Sequence, residues 1–425
     1  MRKAVLGLFM ALAMTAFAVP AFATNGDNVM GVGTISRSMG GVGVAAPQDA
    51  ITAVFGNPAA MCYIPCDTSE VDFAATLFTP HVHADVKTTG PGAPALSNSD
   101  VSANSGGQPY AFPAIGIYTP ISDNWRFGLA AYGVSGMGVD YRGTALRNSG
   151  VGNFGIKTDF QVMKFAPNLA YRILPNLSVG AALQINWAQL DLGEGSAHAF
   201  GVGTQVGVLY KPIDPLSIGV TYQSPQSHKF RQVYNFDAAL TGDNNNEPLK
   251  LEQPQQVVLG VAYDIIPKKL LFEVDGKWIN WANADGYKQF DWKDQYVAAV
   301  GLQAKPLDWL AVRLGYNYGN NPVKEHNGFK IFSGPGYDTT DLNGNTLPTV
   351  QYEGFRVVGF PAIVEHHITC GVGVNITKKV SLNLGYTHAF ENKIKETSED
   401  SPAGTATYES KLSEDSYELG LNIMF

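Results

Sequence analysis

The residue types that most often carry out chemistry are sparse and poorly grouped in this chain. His81 and His83 share one face of a strand-like stretch, but no third ligand stands near them to complete a metal site. The stretch Gly133-Val-Ser135-Gly136-Met137 lacks the second glycine of a nucleophile elbow. Asp341-Leu-Asn343-Gly-Asn345 begins like a calcium loop, but Thr346 stands where glycine is required. The sequence therefore predicts no enzyme, no metal site and no cofactor.

Two of the three cysteines lie close together near the start of the chain. Cys62 and Cys66 are separated only by Tyr63-Ile64-Pro65, and this spacing predicts a local disulfide if the chain is exported to an oxidising compartment. A metal site is disfavoured here, because no second cysteine pair or nearby histidine completes one.

Composition narrows the class of protein further. The chain has 425 residues, of which only 16% are charged, and it contains 46 glycines. Its net charge is −8, from 29 Lys and Arg against 37 Asp and Glu, so no basic surface is available to bind nucleic acid. Hydrophobic residues make up 45%, which excludes a disordered chain. What remains is a large folded protein, rich in glycine and poor in charge.

The first residues predict export. Arg2 and Lys3 precede a mostly apolar run from Val5 to Val19, and Ala21-Phe22-Ala23 places small residues at both positions before a cleavage site. A membrane-spanning helix needs about 20 apolar residues, and this run is shorter. We interpret residues 1–23 as a cleaved signal peptide.

Alternation of apolar and polar residues dominates the chain after residue 69, which predicts β-strands. Such strands form either a soluble sandwich or a transmembrane barrel. Very short links, such as 122–124 and 174–176, alternate with long polar links, such as 83–106 and 320–360. Short periplasmic turns and long outer loops are typical of a barrel. We therefore predict an all-β protein, a transmembrane antiparallel β-barrel.

These turns divide the alternating part of the chain into fourteen predicted strands. A single-chain bacterial barrel requires an even number of strands, and fourteen meets this requirement. The alternation also places Cys370 beside Ile368 on the lipid face, where it acts as a small hydrophobe. The fourteen predicted strands are 70–82, 107–119, 125–140, 155–173, 177–191, 199–211, 216–231, 252–265, 269–281, 294–305, 309–319, 362–376, 380–392 and 412–425.

Residues 24–69 break the alternation and are rich in glycine, alanine and small polar residues. A barrel of about fourteen strands leaves a lumen that would leak if it were open, and a compact segment of this length fits it. The predicted organisation is therefore a signal peptide (1–23), an N-terminal hatch that plugs the lumen (24–69) and the transmembrane barrel (70–425).

The residues of this segment resemble those of a known family. The stretch Gly33-Thr-Ile-Ser-Arg37-Ser-Met-Gly-Gly41, followed by Asp49 and then Asn57-Pro58-Ala59-Ala60, is similar to the hatch of the FadL-type (FadL/TodX, OMPP1) outer-membrane transporters. Asn57-Pro58-Ala59 is the most specific part of the likeness, which extends to Trp278-Ile-Asn-Trp281 and the terminal Phe425. The resemblance implies a monomer in the bacterial outer membrane that takes up hydrophobic compounds passively.

Family members release their substrates sideways into the membrane, through a gap where the third strand kinks inward. The third predicted strand carries Gly133, Gly136 and Gly138 around Ser135, and glycines are the positions at which a strand bends or bulges. The alternative is an ordinary strand that glycine weakens where it faces a crowded hatch.

Candidates for substrate contact are apolar residues near the mouth and one hatch cation. Phe154, Phe160 and Phe200 could line an apolar path, and Arg37 could meet a carboxylate or form a structural ion pair. The lumen-facing charges of Glu273, Asp275 and Lys277 are better explained as anchors of the hatch than as a substrate relay.

Several functions fit this sequence. The first is a channel for long-chain fatty acids or similar hydrophobic compounds, and uptake of aromatic hydrocarbons is a close variant. A surface adhesin or receptor that uses its long loops, and a porin for polar solutes, are the alternatives. Expected partners are hydrophobic small molecules and the lipid and lipopolysaccharide of the outer membrane.

Overall fold

The protein is a closed antiparallel β-barrel of fourteen strands. Each strand pairs with its sequence neighbour, and β14 closes the ring on β1 from Thr405↔Thr89 to Met424↔Glu70. In this computed structural model, the described residues are 24–64, 68–91, 98–107, 109–149, 155–242, 244–333, 336–402 and 404–425. The strands are β1 Glu70–Thr89, β2 Tyr110–Pro120, β3 Trp125–Asp140, β4 Lys157–Leu174, β5 Leu177–Asp191, β6 Ser196–Ile213, β7 Leu216–Gln223, β8 Gln256–Ile266, β9 Leu270–Ile279, β10 Gln295–Leu307, β11 Leu310–Gly319, β12 His366–Asn375, β13 Val380–Thr397 and β14 Thr405–Met424.

The apolar face of each strand points outward. On β8, for example, Leu259, Val261 and Tyr263 are exposed, whereas Val258 and Ala262 are buried against the interior. Successive side chains along each strand of a membrane-spanning barrel face lipid and the lumen in turn, with the apolar ones toward lipid. The strands therefore form a membrane-spanning barrel rather than a soluble sandwich. Cys370 lies on the outer face of β12 beside Ile368, as the alternation predicts.

The N-terminal segment fills the lumen. Residues 24–64, which we call the hatch, are almost all buried. They contain a pair of two-residue strands, the helices α1 (Thr34–Ser38) and α2 (Ala50–Gly56), and a 3₁₀ turn (Pro58–Cys62). No helix in the described part of the chain is long and apolar enough to cross a membrane. The expected signal peptide, residues 1–23, lies outside the described residues.

One predicted strand is wrong. The predicted strand 216–231 is two elements, because β7 ends at Gln223 and Gln226–Tyr234 pairs instead with Glu247–Gln253 in a separate sheet. Pro225 lies between them and has no amide hydrogen for a ladder, so the barrel strand stops there. The two new strands form a hairpin, which we call the inner hairpin because it packs against the lumen side of β5 and β6.

Two predicted loops are largely strand. β1 runs to Thr89, β13 runs to Thr397 and β14 begins at Thr405. The wall is therefore taller than predicted, both at the link 83–106 and between the predicted strands 380–392 and 412–425. The strand Ser99–Asn104 pairs with the upper part of β1. The remaining short elements of the outer loops are a 3₁₀ turn Ala145–Asn148, α3 Ala238–Thr241, a 3₁₀ turn Trp281–Asn283, the strands Phe332–Ser333, Gly336–Tyr337, Thr339–Leu342 and Asn345–Pro348, α4 Thr349–Gly354 and a π-helical turn Phe355–Gly359.

Candidate functional site

The Asn-Pro-Ala motif joins the hatch to the barrel wall. The Asn57 side chain caps the 3₁₀ turn by accepting from the Ala59 amide at 3.1 Å, and Pro58 occupies the first turn position. The side-chain amide of Asn57 donates to the carbonyl of Val44 at 2.9 Å and to that of Val208 on β6 at 3.1 Å. A side chain at Gly180 on β5 would collide with Pro58 and Ala59. The motif is therefore a docking element between the two parts of the protein.

Two carboxylates of β9 hold the middle of the hatch. Glu273 accepts from the amides of Ala45 and Ala46 at 2.8 and 3.0 Å, and Asp275 accepts from those of Gly43 and Val44 at 3.1 and 3.3 Å. Each of the two carboxyl groups satisfies two backbone amides of the hatch. The structure thus places these side chains as hatch anchors.

Arg37 is also engaged by the wall. Its Nε donates to Glu418 of β14 at 2.7 Å and its Nη2 to the Ser416 hydroxyl at 2.8 Å. Both charged side chains are buried. This geometry favours the structural ion pair over a contact between Arg37 and substrate.

The barrel wall is interrupted between β2 and β3. Their paired residues run only from Pro120↔Arg126 to Ala114↔Tyr132, although β2 continues to Tyr110 and β3 to Asp140. Among the described residues, the upper part of β3 keeps its ladder to β4 alone, with a register shift between Gly133 and Ser135. The ring of hydrogen bonds is thus broken on one side of β3.

The hatch and the inner hairpin hold the upper part of β3. The Gly136 amide donates to the carbonyl of Asp27 at 3.0 Å, and Asn28 bridges to Ser135. The Ser135 hydroxyl also accepts from Gln253 at 3.2 Å. Residues 134–139 are all buried, whereas a regular barrel strand would alternate. This part of β3 therefore lies inside the line of the wall.

Three aromatic rings lie at the interruption. A Cβ at Gly133 would lie 3.4 Å from the Phe112 ring, and one at Gly136 would lie 3.5 Å from it. A Cβ at Gly138 would lie 2.0 Å from the Tyr110 hydroxyl, so a larger residue there requires the Tyr110 side chain to move. Phe78 packs beside these rings, with centroids 5.3 Å from Tyr110 and 5.7 Å from Phe112. The aromatic side chains of β2 thus lie close against the glycines of β3 at the interruption.

An aromatic cluster lies under the outer loops and reaches the start of the hatch. Trp281, Tyr287 and Trp292 have ring centroids 4.5 to 5.1 Å apart. A Cβ at Gly26 would lie 2.9 Å from the Trp281 ring. The Tyr287 hydroxyl donates to the Asp27 carboxylate, and burial raises the pKa of Asp27 to about 7. Sequence reasoning used Trp281 only for the family likeness and missed this cluster, which its density of aromatics could have indicated.

An ion-pair network covers that cluster. Arg356 donates to Glu353 at 2.5 Å and to Glu396 at 3.0 Å. The ring nitrogens of His326 lie 2.9 Å from Glu353 and 3.0 Å from Asp291. We call these five residues the cap network, because they join four separate outer segments of the chain.

The predicted apolar contacts are only partly in the lumen. Phe160 on β4 faces inward and is buried. Phe200 was a wrong candidate, because β6 begins at Ser196 and its register turns Phe200 outward, 73% exposed, in line with Val202 and Val206. Phe154 and Cys66 lie outside the described residues, so the contact and the disulfide stay predictions. Among the residues that the structure describes, no group of three or more potential metal ligands is present.

Fold and site together define a plugged outer-membrane β-barrel with an interrupted wall. The sequence profile of the outer membrane protein transport family (OMPP1/FadL/TodX) matches residues 10–199 and 194–331, so the chain belongs to that family. It is made of transport channels rather than enzymes.

Solved structures share the fold at low sequence identity. A FadL homologue of Pseudomonas aeruginosa is 16% identical with a TM-score of 0.65, covering 95% of this chain and 98% of that one. The toluene transporter TodX of Pseudomonas putida is 17% identical with a TM-score of 0.59, covering 93% and 99%. The toluene transporter TbuX of Ralstonia pickettii is 16% identical with a TM-score of 0.57, covering 92% and 98%.

A curated relative matches over a short stretch. It is an uncharacterized protein from the phosphoenolpyruvate carboxykinase gene 5′ region of Chlorobium limicola, 41% identical over 68 residues. The match covers 16% of this chain and 33% of the relative's length.

Proposed function

We propose that this protein is a passive channel that takes up hydrophobic compounds and releases them sideways into the outer membrane. The supporting observation is the missing ladder between residues 110–113 of β2 and 133–140 of β3. At this place the wall is closed by side chains, and rotation of Phe112 and Tyr110 opens it without breaking further backbone hydrogen bonds.

Where the structure describes the chain, the hatch leaves little open space beside the strands β6–β11. The cavity between the hatch and the strands β6–β11 measures about 50 Å³, room for a few water molecules. A polar solute would have to displace the hatch, which anchors on Glu273, Asp275 and Arg37 hold in place. A porin for polar solutes is therefore disfavoured.

Apolar substrates suit a path that leaves the barrel sideways, through the interrupted wall. Burial stabilises an alkyl chain by about 0.8 kcal/mol per CH₂ group, so an apolar channel extracts it from water without an energy source. From the aromatic cluster under the loops, the path passes Phe160 and reaches Phe112 at the interruption. Sideways release keeps the molecule out of water and avoids the hatch.

The test replaces the glycines that line the opening. Gly138→Val should press on Tyr110, and Gly136→Val on Phe112 and the Phe160 carbonyl, because these groups lie within 3.5 Å of the new Cβ. We expect the double variant to fold, shown by heat-dependent gel mobility, and to lose uptake of labelled hydrophobic compounds into whole cells. Gly276→Val is the matched control, since nothing lies within 4 Å of a Cβ there. Normal uptake by the double variant would remove lateral release.

A further inference from the structure

A glutamate in the barrel interior lacks a cation. Glu414 of β14 is 2% exposed, and the hydroxyl of Thr24 lies 3.0 and 3.1 Å from its two carboxylate oxygens. Among the described residues Glu414 has no ion-pair partner, because Arg37, the cation that acts on it from a distance, pairs with Glu418. An uncompensated buried charge is costly, so this position calls for a cation.

The residue that meets Glu414 is the first of the hatch. Thr24 is buried and pairs with Val29 in the short ladder at the start of the hatch. Besides its hydroxyl, the backbone amide of Thr24 interacts with the Glu414 carboxylate. The backbone nitrogen of Thr24 therefore lies next to the acidic group that lacks a cation.

The predicted removal of the signal peptide changes the chemistry of that nitrogen. Ala21-Phe22-Ala23 precedes Thr24 and places the cleavage after Ala23. Hydrolysis of the Ala23–Thr24 peptide bond consumes one water, and it leaves a carboxylate on Ala23 and an ammonium group on Thr24. A neutral amide with a single N–H donor thereby becomes a group that is positively charged at neutral pH and has three donors.

A second acceptor lies near Thr24. His367 of β12 is fully buried, and its ring interacts with the Thr24 backbone. The ring donates through Nδ1 to the carbonyl of Asn317 at 3.2 Å, which leaves Nε2 as an acceptor in the neutral imidazole. In the described part of the chain this nitrogen has no hydrogen-bond partner. The carboxylate and the imidazole can therefore use two of the three donors that cleavage creates.

We propose that signal-peptide removal supplies the cation that Glu414 requires, and that the ammonium group of mature Thr24 forms a buried ion pair with Glu414. This pair fixes the start of the hatch to β14, three residues before the contact of Asp27 with β3. The uncleaved chain has no charge at this nitrogen, so its hatch start is held less firmly. Processing of the chain is thus the event that completes the plug. The inference depends on the predicted cleavage site and is independent of what the channel carries.

The experiment measures the reactivity of the N-terminal amine. The protein is purified in detergent micelles, and mass spectrometry identifies its first residue. The amine is then acetylated with acetic anhydride at neutral pH, in folded and in guanidine-unfolded protein, for wild type, Glu414→Gln and Glu409→Gln. The last variant is the matched control, because Glu409 lies on the other face of the same strand and already has lysine partners. Heat-dependent gel mobility shows which variants are folded.

We expect the mature chain to begin at Thr24 and its amine to react at least about tenfold more slowly in the folded wild type than in the unfolded chain, since the amine must first leave its ion pair. Glu414→Gln should lose most of this protection, and Glu409→Gln should keep it. A different first residue, an unprotected amine in the wild type, or full protection in folded Glu414→Gln would overturn the proposal.

A second variant decides if Glu414→Gln does not fold. One glycine inserted between Ala23 and Thr24 moves the mature amine one residue away from Glu414 and changes no hatch or barrel residue. The amine of this variant should react as fast in the folded as in the unfolded protein. Protection equal to that of the wild type would show that burial alone shields the amine, which contradicts the ion pair.

Discussion

The amide of Gly136 donates a 3.0 Å hydrogen bond to the carbonyl of Asp27, so the first residues of the hatch satisfy a donor in the wall of the barrel. A backbone donor inside a membrane barrel must have a partner, and at this displaced strand the hatch supplies it. The contact therefore connects the hatch to the one interrupted strand junction among the described barrel strands. Asp27 also links this junction to the aromatic cluster, because its carboxylate accepts from Tyr287.

The first prediction concerns pH and Asp27. Burial raises its pKa to about 7 from the ordinary 3.8, so the folded protein holds a proton there that the unfolded chain releases. Stability of the hatch terminus should therefore fall as pH rises from about 4 to 7, since the unfolded state binds fewer protons in this window. Hydrogen exchange of residues 24–29 should follow this trend in wild type and lose it in Asp27→Asn. An unchanged dependence in the variant would show that another group is responsible.

The second prediction concerns the carboxylates of β9. Glu273→Gln with Asp275→Asn should weaken four amide contacts of the hatch, at about 0.5–1.5 kcal/mol for each hydrogen bond lost. The barrel should stay folded while the hatch loosens, which raises ion conductance in planar bilayers. Asp123→Asn, in an exposed turn, is the control and should conduct like wild type. A double variant that stays closed would argue against the anchoring role.

The third prediction separates the two roles of Arg37. Arg37→Met leaves Glu418 buried without its cation, which should cost roughly 3–5 kcal/mol of unfolding free energy. Adding Glu418→Met should recover much of this loss in urea unfolding, because both charges are then removed. The folded double variant should also transport oleate normally. Loss of oleate uptake with methyl oleate uptake retained would instead place Arg37 at the substrate.

The fourth prediction concerns the cap network. The hydrogen bond that the His326 ring donates to the Glu353 carboxylate raises the pKa of His326 above the ordinary 6.5, and Asp291 faces its other nitrogen. A raised histidine pKa means stabilisation that is complete below about 6.5 and is lost as pH rises through the folded value. Protease cleavage of the outer loops should therefore accelerate as pH rises above about 6.5. The outer loops of the His326→Gln variant should be cleaved at the same rate below and above this pH, whereas a persisting pH dependence would assign the effect to other groups.

Much of the barrel was predictable because alternation is a local property. Each strand exposes one face to lipid and one to the lumen, so period-two patterning and short turns located fourteen strands. The same pattern misled at 216–231, where the residues after Pro225 alternate equally well in the inner hairpin. Phe200 was selected for its place near the mouth, although the same alternation puts it with Val202 and Val206 on the outer face.

The sequence by itself determined the barrel, because period-two alternation is written in neighbouring residues. It drew attention to the glycines at 133, 136 and 138 only through the family resemblance. Only the tertiary structure decided which ladder breaks and what replaces it. Asp27, Phe112 and Gln253 meet β3 from far along the chain. Such contacts depend on chain path and packing, which local composition does not encode.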